Sequence, residues 1–221
     1  MMPLGLILLV VIGILLLFGV LHNVMDRMRM NDKWAFAVVL GMLVGSWIPD
    51  IPLGAYLTVN IGGALIPLGV CVYLWIKAGT AWERIRALIA AVAAAGVMLL
   101  IDRYFPAEPV QMPFDVHYLY GIAAGLCAYV LGRSRRAALI AGILGVLLGD
   151  VFTLIWAWRR RIGSVLRMGG AGAMDAMVLS AVIAVLLCEL IGETWEKLQG
   201  GTKKKHMTFE NGEFVEAGGK R

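Results

Sequence analysis

Two aspartates stand in stretches that otherwise carry no charge: Asp150 in AGILGVLLGDVFTLIW and Asp175 in GGAGAMDAMVLSAVIAVLL. An ionisable group inside an apolar span costs about 2.5–3.5 kcal/mol on insertion scales, so it needs a partner, a water-filled cavity or a task. Brought together, two such carboxylates share a proton or hold a small cation. Kept apart, each serves as a cap or a packing group. Asp150 follows Gly142, Gly145 and Gly149, whose spacing of three and four gives a face that a second helix can approach closely. Asp175 follows Gly169-Gly170-Ala171-Gly172, a backbone able to unwind. It falls in the first turn of the last helix, where the helix dipole favours a carboxylate and capping is the ordinary role.

A second break lies in NIGGALIPLG, where Asn60, Gly62, Gly63 and Pro67 interrupt an apolar segment. Proline there frees a backbone carbonyl, and Asn60 offers an amide to whatever lies nearby. Paired glycine- or proline-interrupted segments in two parts of a membrane chain point to a substrate site between them, and NIGGALIP and RMGGAGAMD form such a pair. The candidate substrate- or ion-binding set is therefore Asp150, Asp175, Asn60, Gly62, Gly63, Gly169 and Gly170.

The remaining polar groups read more plainly. Glu189 is expected to reach toward the headgroups. Asp50, between Pro49 and Pro52, is expected to be solvated in an extended turn. Asp102, Glu108, Asp115 and His117 surround a proline-rich loop. The loop reads as solvated, and a cation-gathering vestibule is the alternative. Cys71, Cys127 and Cys188 lie far apart in apolar segments and read as small buried hydrophobes. The chain has no phosphate-cradling glycine loop, zinc helix motif or nucleophile elbow. No catalytic residue, metal or cofactor is assigned, and the chain reads more as a non-enzyme than as an enzyme.

With 60% hydrophobic and only 16% charged residues, the chain is too apolar for water and calls for lipid as its solvent. A bilayer core about 30 Å thick needs roughly 20 apolar residues per helix. Apolar windows fall at about residues 4–22, 34–49, 61–76, 87–101, 116–132, 137–157 and 173–192. They predict an all-α polytopic transmembrane bundle of about seven helices, some short or broken at glycine or proline. The first window has no basic residues before it and no small-residue cleavage site after it, so it reads as an uncleaved anchor. Residues 1–198 form the transmembrane domain, and 199–221 a polar tail in which Asn211-Gly212 signals a small hairpin.

The net charge of +5 sits in clusters between the apolar windows, which reads as membrane orientation and not as nucleic-acid binding. Arg27, Arg29, Lys33, Lys77, Arg84, Arg86, Arg133, Arg135, Arg136 and the basic residues of the tail fall on one side, predicting a cytoplasmic C-terminus in the cytoplasmic membrane. The loop carrying Arg159, Arg160, Arg161 and Arg167 falls on the other side, against the rule. Either a broken helix near Asp150 shifts the count by one, or this loop dips back as part of the site.

The segments NIGGALIPLGVCVYLW, AALIAGILGVLLGDVFTLI and GGAGAMDAMVLSAVIAVLL together resemble a family of prokaryotic multi-pass membrane proteins known as a domain of unknown function. The resemblance runs from about the third apolar window onward. It implies an integral membrane protein and no particular activity, and it singles out Asn60, Gly62, Gly63, Pro67, Gly149, Asp150, Gly169, Gly170, Gly172 and Asp175. A fainter resemblance is to the aspartyl intramembrane proteases, whose two aspartates activate water in a membrane cavity. Against it, Leu147 stands where that motif has its first glycine, no tyrosine precedes Asp175 and no Pro-Ala-Leu element follows.

Three functions remain open on the sequence: transport of a small solute or ion through a midplane site at Asp150 and Asp175, a non-catalytic membrane subunit or assembly factor, and an aspartyl intramembrane protease. The expected partners are the bilayer, a small cation or proton, and a membrane protein or second copy of the chain.

Overall fold

The structure, a computed structural model, describes residues 4–19, 21, 24, 28, 30–54, 56–104, 116–132, 134–160, 165–198, 207–210 and 213–216. Among them are seven α-helices: α1 (Leu4–Leu17), α2 (Asp32–Gly45), α3 (Ile66–Ile76), α4 (Ala81–Tyr104), α5 (Val116–Gly132), α6 (Arg135–Arg159) and α7 (Ala171–Leu198). A π-helical turn, Ile61–Leu65, leads into α3. Pro67 stands at the start of α3, where the missing amide breaks no helical hydrogen bond. The all-α bundle expected from the apolar windows is the observed architecture. Helices α4 and α6, and α7 over Met174–Gly192, are long and apolar enough to cross a membrane.

The helices run alternately up and down between two polar ends. At the near end, the start of α1 meets the start of α7 through Asp175, and Gly45 at the end of α2 packs on Gly62 of the π-turn. There too, Tyr120 Oη of α5 donates to Asp102 Oδ1 of α4 at 2.9 Å. At the far end, Arg136 donates to the Lys77 carbonyl after α3 at 2.7 Å, and its guanidinium lies 3.8 Å from Glu83 of α4. Ser134, the N-cap of α6, also donates to Glu83 at 2.9 Å. Arg135 pairs with Glu189 of α7, so Glu189 is held by a guanidinium and does not simply reach outward.

Between the ends, small residues bring the helices together. The face of α4 made by Ala87, Ala90, Ala91, Ala94 and Ala95 is buried, as are Ala137, Ala138, Ala141, Gly142 and Gly145 of α6. In lipid, close packing of this kind holds helices together, because apolar burial alone offers little between helices already in hydrocarbon. A Cβ on Gly145 would lie 2.6 Å from the Ala94 Cβ.

Strand β1 (Ile51–Pro52) pairs antiparallel with β2 (Leu57–Val59), and β2 pairs in parallel with β3 (Leu166–Met168), giving the order β1-β2-β3 at the near end. Leu57, Thr58 and Val59 stand opposite Leu166, Arg167 and Met168. Arg167 of the basic loop belongs to this pairing. Helix α6 continues unbroken past Asp150 to Arg159, and Leu166–Met168 lies beside β2 at the near end; residues 161–164 of the basic loop lie outside the described residues. Strands β4 (Met207–Glu210) and β5 (Glu213–Glu216) pair antiparallel in the tail, and the Asn211-Gly212 turn lies outside the described residues.

Helix α5 meets α7 through two glycines. A Cβ on Gly125 would come within 2.8 Å of the Ser180 carbonyl and 2.9 Å of the Ile183 Cβ, whereas one on Gly96 of α4 meets nothing within 4 Å. Gly125→Val is therefore expected to lower unfolding stability by about 1–3 kcal/mol. Gly96→Ala is expected to leave it unchanged or raise it by up to about 1 kcal/mol. Thermal unfolding of both variants in one detergent checks the pair.

Candidate functional site

Asp175 is 5% exposed and caps a helix other than its own. Its Oδ1 accepts the Gly5 N–H at 2.8 Å and its Oδ2 the Leu4 N–H at 3.1 Å, so one carboxylate binds two unpaired amides at the start of α1. Glycine at position 5 permits the approach, since a Cβ there would lie 2.7 Å from Oδ1. The expected cap is present, but it acts between helices 170 residues apart in sequence.

The two glycine breaks meet. Asn60, 7% exposed, is the N-cap of the π-turn: its Oδ1 accepts the Gly63 N–H at 2.8 Å, and its Nδ2 donates to Asp50 Oδ1 at 2.9 Å. Asp50 is thus an anchor for Asn60 and not the merely solvated acid expected from its prolines. The Asn60 backbone N–H donates to the Met168 carbonyl at 3.0 Å, prolonging the β2–β3 ladder by one residue.

Beyond the ladder both chains turn into helices. Gly169 takes φ of +71°, a left-handed backbone that favours glycine. A Cβ on Gly169 would fall 2.6 Å from the Ala64 nitrogen and into Gly63, while one on Gly63 would strike the Gly169 carbonyl. Gly62 is closed in the same way by Met42, Gly45 and Ser46 of the α2 end. The Gly170 carbonyl accepts the Met174 N–H at 2.8 Å, starting α7. Ser46 ties α2 to the same place, donating to the Met42 carbonyl at 2.6 Å and lying 3.3 Å from the Met174 sulfur.

Asp150 stands apart from these closed contacts. It lies in the second half of α6, with the backbone amide of Gly169 against its carboxyl and His117 of α5 within electrostatic reach. Its Oδ2 is buried with no hydrogen-bond partner among the described residues. His117 packs edge-on against Tyr120, ring centroids 5.7 Å apart, and Tyr120 bonds Asp102. A polar line therefore joins α4, α5, α6 and the lead into α7: Asp102, Tyr120, His117, Asp150, Gly169.

Of the sequence-derived set, Asn60, Gly62, Gly63, Gly169 and Gly170 gather at the β2–β3 junction, Asp150 borders it through Gly169, and Asp175 faces α1. The sequence reading leaves Asp102 and His117 beside a solvated loop and does not single out Tyr120. The signal that could have joined them was positional: Asp102 ends α4, His117 begins α5 and Asp150 lies near the end of α6, which an up-down bundle places at one end. Glu108 and Asp115 lie outside the described residues.

Replacing Asp175 by alanine leaves the buried Gly5 amide and the part-buried Leu4 amide without this acceptor and is expected to cost about 0.5–2 kcal/mol, the usual range for a lost N-cap. Asp175→Asn keeps an acceptor oxygen and should recover part of that loss. Thermal unfolding of the two variants, with proteolysis within α1 as the local readout, checks the order.

The model of one family, described as a protein of unknown function (DUF1614), matches residues 20–187. No curated protein and no solved structure matches the chain.

Proposed function

The chain belongs to the DUF1614 family of proteins of unknown function, and from that premise we propose that it is a multi-pass membrane protein that transports a small cation or proton, with Asp150 as the ion-binding carboxylate. The membrane reading is supported by six tryptophans. Trp34, Trp75 and Trp82 sit at the far end and Trp47, Trp156 and Trp158 at the near end, each at or near a helix terminus and between 37% and 85% exposed. Two aromatic rings flanking an apolar belt are what two membrane–water interfaces select. The far end holds Lys33, Lys77, Arg84, Arg86, Arg135 and Arg136, so it faces the cytoplasm of a cytoplasmic membrane, and the C-terminal tail lies on that side.

The transport reading is carried by one observation: the buried Oδ2 of Asp150 has no hydrogen-bond partner among the described residues, while the Asp175 oxygens accept the Leu4 and Gly5 amides and the glycine breaks pack on each other. A carboxylate left open among helix ends that converge from four helices is a binding group, not a clamp. Among the described residues no three His, Cys, Asp or Glu side chains stand together as a metal-holding group. A divalent ion wants several oxygen ligands, so a single carboxylate backed by His117 suits a proton or a monovalent cation. Asp175 leaves the ion site proposed from sequence and becomes the support that holds α1 in place.

A second reading, a non-catalytic subunit or assembly factor, draws on the closed contacts of Asn60, Gly62, Gly63, Gly169 and Asp175, which are those of a scaffold. The protease reading loses ground because a catalytic dyad needs both carboxylates at one water, and both Asp175 oxygens already accept amides.

In proteoliposomes, Asp150→Asn is expected to reduce proton or monovalent-cation flux by roughly tenfold or more, the scale on which an ion loses its one charged ligand. Asp175→Asn should retain flux in proportion to the folded fraction. Wild-type flux no higher than that of empty vesicles would favour the subunit reading.

A further inference from the structure

A partly open cavity of about 370 Å³ lies between α1, α2, α3, α6 and α7, away from the polar near end. All of its lining residues are apolar; Val38 and Met42 come from α2, Ile143 from α6 and Val182 from α7. Its rim includes Val11 of α1 and Leu186 of α7, which are 45% and 50% exposed, so it opens sideways through the outer face of the bundle. That opening lies in the apolar belt between the two rings of tryptophan.

We infer that this cavity holds the acyl chain of a membrane phospholipid as a bound, structural ligand. The proposal rests on the membrane-embedded reading and not on Asp150.

Three arguments select the occupant. Apolar walls exclude a polar solute, and apolar cavities of this kind stay dry. A void left empty would cost its walls their dispersion contacts, and the solvent at its mouth is hydrocarbon. A flexible alkyl chain can follow a space walled by five helices, whereas a helix is a rigid rod about 10 Å across. A slender alkyl chain entering from the side meets all three conditions. Held there, it would fill the space beneath α1, a helix that Asp175 ties to the bundle at its start.

The test is native mass spectrometry of the full chain purified in mild detergent from membranes and incubated with vesicles of 1-palmitoyl-2-oleoyl phosphatidylglycerol. The expected result is about one phospholipid retained per chain by the wild type and by Val92→Phe, a control on the exposed face of α4. Val182→Phe and Val38→Phe, which fill the cavity from α7 and α2, should each lose that lipid. No retained lipid on the wild type, or equal retention by both filling variants, overturns the proposal and leaves the transport reading intact. A wild-type chain recovered without detergent in the soluble fraction overturns the membrane reading and this proposal with it. Should the filling variants fail to fold, a diazirine-tagged acyl chain carried through detergent exchange on the wild type decides instead. Labels on α1 and α7 support the proposal, and labels confined to α4 overturn it.

Discussion

The start of a helix carries amides with no partner of their own, and away from water each must find an acceptor or cost free energy. At the near end of this bundle the chain begins α1, the π-turn before α3, α5 and α7, so the problem arises four times. The answer to the first is one carboxylate, Asp175, shared by the amides of Leu4 and Gly5. The answer to the second is Asn60, which accepts from Gly63 and is itself steadied by Asp50. Much of the near-end arrangement follows from these caps. The β2–β3 ladder sets the two glycine breaks side by side, and the absence of a Cβ at Gly62, Gly63 and Gly169 lets backbone meet backbone where side chains would hold the helices apart.

This closure explains why Asp150 differs from the polar groups around it. Gly169 leaves the sheet in a left-handed turn and lies against the Asp150 carboxyl, while the same turn packs on Gly63. The clamp therefore sets the position of the Asp150 carboxyl, the group to which the proposal assigns the ion. Arg135 with Glu189, and Arg136 with Glu83, tie the far end in the same spirit, so both ends are fixed.

The helices were legible in the sequence because apolar length is a strong signal: α5 coincides with its window, the π-turn and α3 together fill theirs, and α4, α6 and α7 contain theirs. The pairing of the breaks was legible as a similarity of composition. Its physical form, a short parallel ladder running into two helix starts, was not, because three-residue strands carry too little periodicity to be read. Asp175 carried a capping reading beside its place in the ion-binding set, but its client could not be read, since a cap for a helix 170 positions away leaves no local pattern. Asp50 and Glu189 were misread for a related reason: their partners, Asn60 and Arg135, are set by packing and not by spacing. The pairing of Leu166–Met168 with β2 was not legible either, because a count of lysines and arginines takes no account of backbone pairing.

The central claim is that the two buried aspartates divide the work, Asp175 holding the fold and Asp150 meeting the ion. Infrared difference spectroscopy of the membrane-reconstituted protein, with and without a monovalent cation and across a proton titration, reads carboxylates directly. The account predicts a ligand-dependent carboxylate band that disappears in Asp150→Asn and persists in Asp175→Asn. A band that persists in Asp150→Asn and disappears in a folded Asp175→Asn would contradict it.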